Sequence, residues 1–424
     1  MADGNGRIVA ARIAFAALRT SGEKGTDAMD FSYSEQDEAL KREVRDFVEA
    51  NWHSPYESHI NSVYSYDVDT PEDEVLFQEF TRKLADKGWY TMHWPTEYGG
   101  QAVPFTTQIA YREEMAYRGA PIAQPGFEAP MLMFHGQPWQ RDFFLPKIAS
   151  GELISWSQGF SEPNAGADLA NLQTRAVRDG DDWVVTGQKI WNSQGHHPWV
   201  DWGHYLVRTD PDAPKHRGIS YLIIDMNTPG VVKRPLVDAL GRRRWSEIFL
   251  DNVRVPSRNV IGEENRGWYA AMTTLSFERS QIEAPARRLR DLERFIDFAR
   301  EAHINGGRLI DAKQTRHILA DARILIETGR MLALQVASIQ SKGEVPQMEA
   351  AFSKLFHDEM TARVYELLAR ILGQDAAMTV GEPRAPLAGY PAVNSYLSWM
   401  NRFAGGGREI QLNIIAQRGL GLPR

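Results

Sequence analysis

Ile219-Ser220-Tyr221-Leu222-Ile223-Ile224 decides the fold: five of its six positions are apolar, aromatic or β-branched, and it is preceded by Gly218 and followed by Asn227-Thr228-Pro229-Gly230. A run this short, closed by turn residues on both sides, reads as a strand rather than a helix turn. Similar runs lie close by, at Trp183-Val184-Val185, Tyr205-Leu206-Val207 and Ile248-Phe249-Leu250, alternating with Asp, Gly, Asn and Pro. Short strands at this spacing predict a β domain, a barrel or sandwich, over residues 153–264.

Working outward, the chain turns helical on both sides. Upstream, Leu40, Val44, Phe47 and Val48 follow the N-cap residue Ser34, and Val75, Leu76, Phe80 and Leu84 make one stripe of a second helix from Pro71 to Lys87. Trp94-Pro95-Thr96-Glu97-Tyr98-Gly99-Gly100 is loop, because its Pro and paired Gly oppose regular structure. Helical pattern resumes over Phe105–Tyr117 and Gln140–Ile148. Downstream, Ile318, Ala322, Leu325, Leu332, Val336 and Ile339 share one face of a long helix, and three further long helices fit between Gly267 and Ala416. The expected architecture is α+β: an N-terminal helical domain over 29–152, the β domain, and a C-terminal four-helix bundle over 265–424. Residues 1–28 are expected to be a disordered extension without catalytic consequence, since Arg12 interrupts the apolar stretch from Ile8 to Leu18.

Composition narrows the function classes. The 424 residues carry 48 Lys plus Arg against 55 Asp plus Glu, a net charge of −7 that offers no electrostatic motive for binding nucleic acid. The absence of cysteine excludes disulfides, thiolate catalysis and cysteine-held metal clusters, and no run of 18 apolar residues encodes a membrane span. A cytoplasmic location is expected. The glycine-rich dinucleotide and P-loop fingerprints, the zincin helix and the nucleophile elbow are all missing. His196-His197 is expected to point two rings apart rather than hold a metal, and Arg242-Arg243-Arg244 to form a solvated edge.

Two stretches carry the chemistry. Gln158-Gly159-Phe160-Ser161-Glu162-Pro163-Asn164-Ala165-Gly166-Ala167-Asp168 reads as a strand entering a loop of small residues, and Lys189-Ile190-Trp191-Asn192-Ser193-Gln194-Gly195 puts a Trp and a Ser on one strand face. An indole beside hydroxyls and free main-chain groups suits a flat heteroaromatic ligand with a polar rim; a Trp in an ordinary barrel core is the competing reading.

With these stretches, Trp94–Gly100, Phe249-Leu250-Asp251-Asn252-Val253-Arg254-Val255-Pro256, Asn265-Arg266-Gly267-Trp268 and Glu409-Ile410-Gln411-Leu412-Asn413-Ile414-Ile415-Ala416, the sequence resembles the acyl-CoA dehydrogenase family from about Met29 to Arg424. The resemblance implies FAD as cofactor and α,β-dehydrogenation of an acyl-CoA thioester, with an electron-transfer flavoprotein as acceptor. It places Gln158, Phe160 and Ser161 on one side of the isoalloxazine and Trp191 with Ser193 on the other. The loop position that holds the base in many members is Gly405 here, so the base falls to Glu278, in Leu275-Ser276-Phe277-Glu278-Arg279, as in isovaleryl- and long-chain-type members. That arrangement implies a bulky, branched or long acyl group. Arg279 matches the residue that meets CoA phosphates, Ala167 stands where Ser is common near CoA, and the Gly405 amide matches a donor to the thioester carbonyl. Arg370, Gly373, Gly407 and Glu409 fall where cofactor contacts across a subunit interface are expected.

The sequence departs from the family pattern twice: Arg370 replaces a usual Gln, and Ala302–Leu309 lacks the usual pyrophosphate-holding segment. Three readings therefore stand: a catalytic dehydrogenase, as a homo-oligomer or a heteromer with a related chain; a non-catalytic scaffold subunit of a heteromeric acyl-CoA dehydrogenase; and an acyl-CoA oxidase or flavin monooxygenase on the same fold.

Overall fold

The computed structural model describes residues 33–52, 70–122, 125, 128–274, 281–304 and 306–423. The expected extension over 1–28, and both Glu278 and Arg279, lie outside the described residues. Along the chain come helices, then strands, then helices, and the residues group into two compact units.

The sheet unit takes in Asp67–Thr91 and Ala123–Glu278. It holds helices α2 (Pro71–Asp86), α4 (Glu128–His135), α5 (Pro138–Ala149) and α6 (Gly267–Thr274). Its strands are β1 (Ser157–Gly159), β2 (Arg175–Asp179), β3 (Asp182–Ser193), β4 (Trp202–Arg208), β5 (Ile219–Asp225), β6 (Val231–Leu236) and β7 (Trp245–Pro256). They form one sheet in the order β1-β4-β2-β3-β7-β6, with β5 antiparallel on β4. β3 and β7 are the long antiparallel pair, and β1 lies parallel to β4. Every β5 residue except Asp225 is buried, which is why its sequence is a continuous apolar run instead of an alternation. Trp183, Val185, Tyr205, Val207, Leu222, Ile224, Ile248 and Val253 make the core. α5 closes one flank by setting Phe144 edge-on against Trp156 and Trp202, with ring centroids 4.8 and 4.9 Å away. Gln140 fixes the same helix by donating to the carbonyls of Arg258 and Val260 at 3.1 Å each.

The helical unit takes in Met1–Tyr66, Met92–Ile122 and Arg279–Arg424. Its helices are α1 (Glu35–Asn51), α3 (Phe105–Arg118), α7 (Glu283–Glu301), α8 (Lys313–Ser341), α9 (Gln347–Leu372), α10 (Tyr390–Asn401) and α11 (Arg408–Ile414). Ser34 caps α1 as its sequence predicts, accepting from the Asp37 amide at 3.1 Å. α7, α8 and α9 pack around Leu292, Phe295, Ile318, Ala322, Ile326, Val364 and Leu368. Buried Glu113 of α3 ties in both Lys41 of α1, at 3.0 Å, and Arg330 of α8, at 2.6 Å.

Four long helices were expected after Gly267; among the described residues three form. Pro383, Pro386 and Pro391 with Gly381 and Gly389 break the chain beyond α9, and Leu387 and Ala388 are driven to positive φ there. Those residues delay the start of the fourth element to Tyr390, and Gly405-Gly406-Gly407, the first two at φ +67° and +94°, divide it into the 12-residue α10 and the 7-residue α11.

Candidate functional site

β1 is only three residues long, and Gly159 permits its close approach to β4: a Cβ at that position would stand 1.9 Å from the Tyr205 ring. The chain then turns, and Glu162 and Ala165 exchange backbone hydrogen bonds of 3.0 Å. β3 ends with its own irregularity. Its buried face runs through Trp183, Val185 and Lys189 and then shifts phase to Asn192, across a bulge in which Trp191 has φ +64°. Asn192 therefore points inward while Trp191, 60% exposed, and Ser193 face out. The expectation that Trp191 and Ser193 share a face holds despite the bend.

Both segments are locked together mostly by side chains. The Ile190 amide donates to the Ser161 carbonyl at 3.0 Å. Lys189 Nζ donates to the Phe160 carbonyl at 3.2 Å and to Glu162 Oε1 at 2.9 Å. Asn192 Nδ2 donates to the Gln158 carbonyl at 2.8 Å and to Ser157 Oγ at 3.1 Å. Glu162 also accepts from the amides of Gln173 at 2.6 Å and Thr174 at 2.8 Å. Burial alone would raise the Glu162 carboxyl, but the Lys189 ammonium and these donors outweigh it and hold it below the usual carboxylate range. Burial pushes Lys189 down to about 8, with the Glu162 charge opposing. Behind this clamp, Phe160 packs against His204 and Tyr221, each ring centroid 5.7 Å away.

What faces outward suits a flat ligand. Trp191 offers an indole face, and a non-glycine residue in the left-handed region costs roughly 1–2 kcal/mol. Gln158 Nε2 is buried without a hydrogen-bond partner, and the hydroxyls of Ser161 and Ser193 have none among the described residues. An aromatic plane with acceptors on its rim would cover the indole and satisfy those donors, which is the chemistry of an isoalloxazine. These residues fit FAD. Ala167 lies exposed further along the loop, which is anchored beyond it by Lys215 on Asp168 at 2.6 Å.

Candidates in the helical unit fall into two groups. Arg370 is exposed on the last turn of α9 and makes no hydrogen bond or ion pair among the described residues; Gly373 follows at φ +60° with open space around it. Gly405 and Gly406, at φ +67° and +94°, lead to Gly407, the N-cap of α11, with Glu409 exposed in its first turn. Gln411 Nε2 holds that loop by donating to the Gly406 carbonyl at 3.0 Å. Arg402 and Arg408 tie it to Glu359 of α9, at 2.8 and 3.4 Å. Arg370 lies three helical turns beyond Glu359, about 16 Å along the axis, so one chain does not gather the two groups.

Sequence reasoning missed Lys189, Glu162 and Asn192. Lys189 could have been found: it stands in phase with inward-facing Trp183 and Val185, where a charge needs a partner. Two expectations fail. The His196 and His197 rings do not point apart; their centroids are 4.2 Å apart and His197 stacks on Trp199 at 5.3 Å, because the chain has left the strand for a turn. Arg244 is not solvated: it is 6% exposed, beside the Trp245 ring, and its carbonyl accepts from the Gln194 amide.

Three family models match in order: the N-terminal domain of acyl-CoA dehydrogenase over residues 34–152, its middle domain over 157–253 and its C-terminal domain over 265–420. Among curated proteins, acyl-CoA dehydrogenase FadE26 of Mycobacterium tuberculosis is 36% identical over 407 residues, covering 93% of this chain and 99% of that one. Among solved structures, the ChsE4-ChsE5 complex of Mycobacterium tuberculosis aligns with a TM-score of 0.81 and 35% identity, over 93% of this chain and 100% of that one. The structure described as the Tcur3481-Tcur3483 steroid ACAD aligns with a TM-score of 0.83 and 32% identity, over the same shares.

Proposed function

This chain belongs to the acyl-CoA dehydrogenase family, and we propose that it oxidises a bulky acyl-CoA to the 2,3-enoyl thioester with Glu278 as the base. It is an FAD-dependent oxidoreductase acting on acyl-CoA. The observation that carries the finer reading is the wall formed by Gln158, Ser161, Trp191 and Ser193, combined with a glutamate at 278 and a glycine at 405. FAD, when bound, accepts the hydride from the substrate β carbon at its N5. The Glu278 carboxylate removes the α proton, a task favoured when burial beside an acyl chain raises its pKa toward the working range. The Gly405 amide donates to the thioester carbonyl as negative charge develops there, and needs no side chain to do so. Arg279 pairs with CoA phosphate oxygens. The Trp191 indole would cover the ring and exclude water from it, while Phe160 packs behind that wall on His204 and Tyr221.

The bulky substrate is inferred from the helix-borne base, and the name of one similar structure, a steroid ACAD, supports a polycyclic acyl group. A second reading concerns assembly. Arg370 and the Gly407–Glu409 loop are apart within one chain, the 303–308 hairpin has its guanidinium, Arg308, engaged by Asp311 at 2.9 and 3.1 Å, and Tyr396, Trp399, Phe403 and Leu420 are 52–78% exposed. An apolar surface of this kind marks an interface, and a related chain as partner is supported by the two-chain complex among the similar structures. An electron-transfer flavoprotein is the proposed acceptor.

Purified chain, alone and with a co-expressed related chain, tests these readings. The expected product is yellow and bleaches anaerobically on addition of a branched or polycyclic acyl-CoA. Colour appearing only with the related chain selects the heteromer; no bleaching with any acyl-CoA sinks the catalytic reading. Rapid reoxidation by oxygen, with no turnover through an electron-transfer flavoprotein, would select the oxidase.

A further inference from the structure

We infer that Lys189 is a positioning residue: with Glu162 it fixes the Phe160–Ser161 segment against the adjoining Trp191–Ser193 segment, and so the alignment of the wall that would meet the flavin ring. This rests on the proposed placement of the isoalloxazine on the sheet unit and names what holds that placement. Lys189 is wholly buried and lies two residues before Trp191, while its Nζ reaches the carbonyl immediately before Ser161 and the carboxylate immediately after it. One ammonium therefore grips the adjoining segment on both sides of the hydroxyl that would meet the ring.

The sheet ladder does not supply this connection. β1 pairs with β4 and not with β3, and the ladder of β3 on β7 is interrupted between Lys189 and Asn192. Across that interruption, among the described residues, the only backbone bond to the loop is Ile190 to Ser161. Glu162 is in turn fixed by the Gln173 and Thr174 amides, so the ammonium pulls the loop toward an anchored carboxylate. A buried ion pair seldom adds net stability over an apolar pair of similar shape, and its best-attested use is to fix register. Here the register being fixed is that of a bulged strand against a loop.

The test compares the full-length chain with Lys189→Met/Glu162→Gln, in which both charges go together and no single charge is left buried. Readouts are the thermal transition without flavin, the FAD dissociation constant from flavin fluorescence quenching, and the absorption spectrum of the bound flavin. The expected result is a transition near that of the parent, FAD binding weakened by about tenfold or more, as the loss of one or two orienting hydrogen bonds implies, and an altered flavin band. Lys189→Arg, which keeps the charge but changes the reach to the Phe160 carbonyl, is expected to fall between the two and serves if the double variant does not fold. Variants that fold and bind FAD with parental affinity and spectrum overturn the positioning role alone. A parent chain that takes up no FAD, alone or with a related chain, overturns the functional reading and this inference with it.

Discussion

The phenol of Tyr390, in the first turn of α10, donates to Asp291 of α7 at 2.6 Å. Tyr365 of α9 donates to the other oxygen at the same distance, and Arg288 closes an ion pair at 2.9 Å. One carboxylate, 3% exposed, thus ties three helices together. Burial would raise it, but Arg288, Arg290 and the two phenols hold it below the usual carboxylate range. Asp291→Asn leaves buried guanidinium groups without their counter-charge, so a loss of about 3–5 kcal/mol is expected. Tyr365→Phe should cost only about 1–2 kcal/mol. Urea denaturation of both variants checks this; a loss below that of Tyr365→Phe for Asp291→Asn would refute the assignment.

Asp291 also marks where the sequence stops being informative. Ala286-Arg287-Arg288-Leu289-Arg290-Asp291 carries four charges in six residues, yet Arg287, Arg288 and Asp291 are buried. Charge is a local property and burial a tertiary one, so composition misreads such a segment, as it misread Arg244. The strands were legible because β5 and β7 carry their burial in their spacing. That Trp191 and Ser193 face out was not legible: period-2 alternation from Trp183, Val185 and Lys189 would turn both inward, and the bulge between Lys189 and Asn192 reverses the phase. The late start and the division of the fourth C-terminal helix could have been read from Pro383 and Pro386 and from Gly405-Gly406-Gly407, had breakers been weighed above the apolar pattern around them.

His357 gives stability a pH dependence of known sign. It is 2% exposed in α9, with Nε2 2.8 Å from the Gly329 carbonyl of α8 and Nδ1 3.3 Å from the Ser353 hydroxyl. Burial pushes its pKa from 6.5 down to about 4, with the Gly329 carbonyl opposing. As pH falls through 6.5 the unfolded chain takes up a proton that the folded chain refuses until about 4. The contribution is therefore complete above pH 6.5 and is lost on acidification toward 4. His204 adds in the same direction, burial lowering it to about 3. A few kcal/mol should disappear between pH 6.5 and 4, and His357→Gln should flatten part of that slope in thermal scans at stepped pH.

Replacing Glu278 separates proton removal from cofactor binding. Glu278→Gln keeps the side chain's size and removes the proposed base, so flavin content should match the parent while the rate of flavin reduction by acyl-CoA falls about a hundredfold to ten-thousandfold. Anaerobic stopped-flow absorbance measures this directly. Near-parental reduction would mean that another group takes the α proton.

Trp191 should separate folding from ligand binding in the opposite way. Its side chain is largely exposed, so the fold gains little from it, while φ +64° strains a residue that carries a Cβ. Glycine adopts that φ freely and loses only the edge-on contact with Trp245, whose ring centroid is 6.2 Å away. Trp191→Gly is therefore expected to leave the flavin-free chain as stable as the parent or up to about 1 kcal/mol more stable. FAD affinity should nevertheless fall by roughly tenfold or more, because the loss of an aromatic contact surface exceeds 1 kcal/mol. Paired measurements on one preparation, a thermal transition without FAD and a quenching titration with it, decide the matter. A variant that loses stability while keeping its affinity would show that the indole serves the barrel core, the reading that competes with a flavin wall.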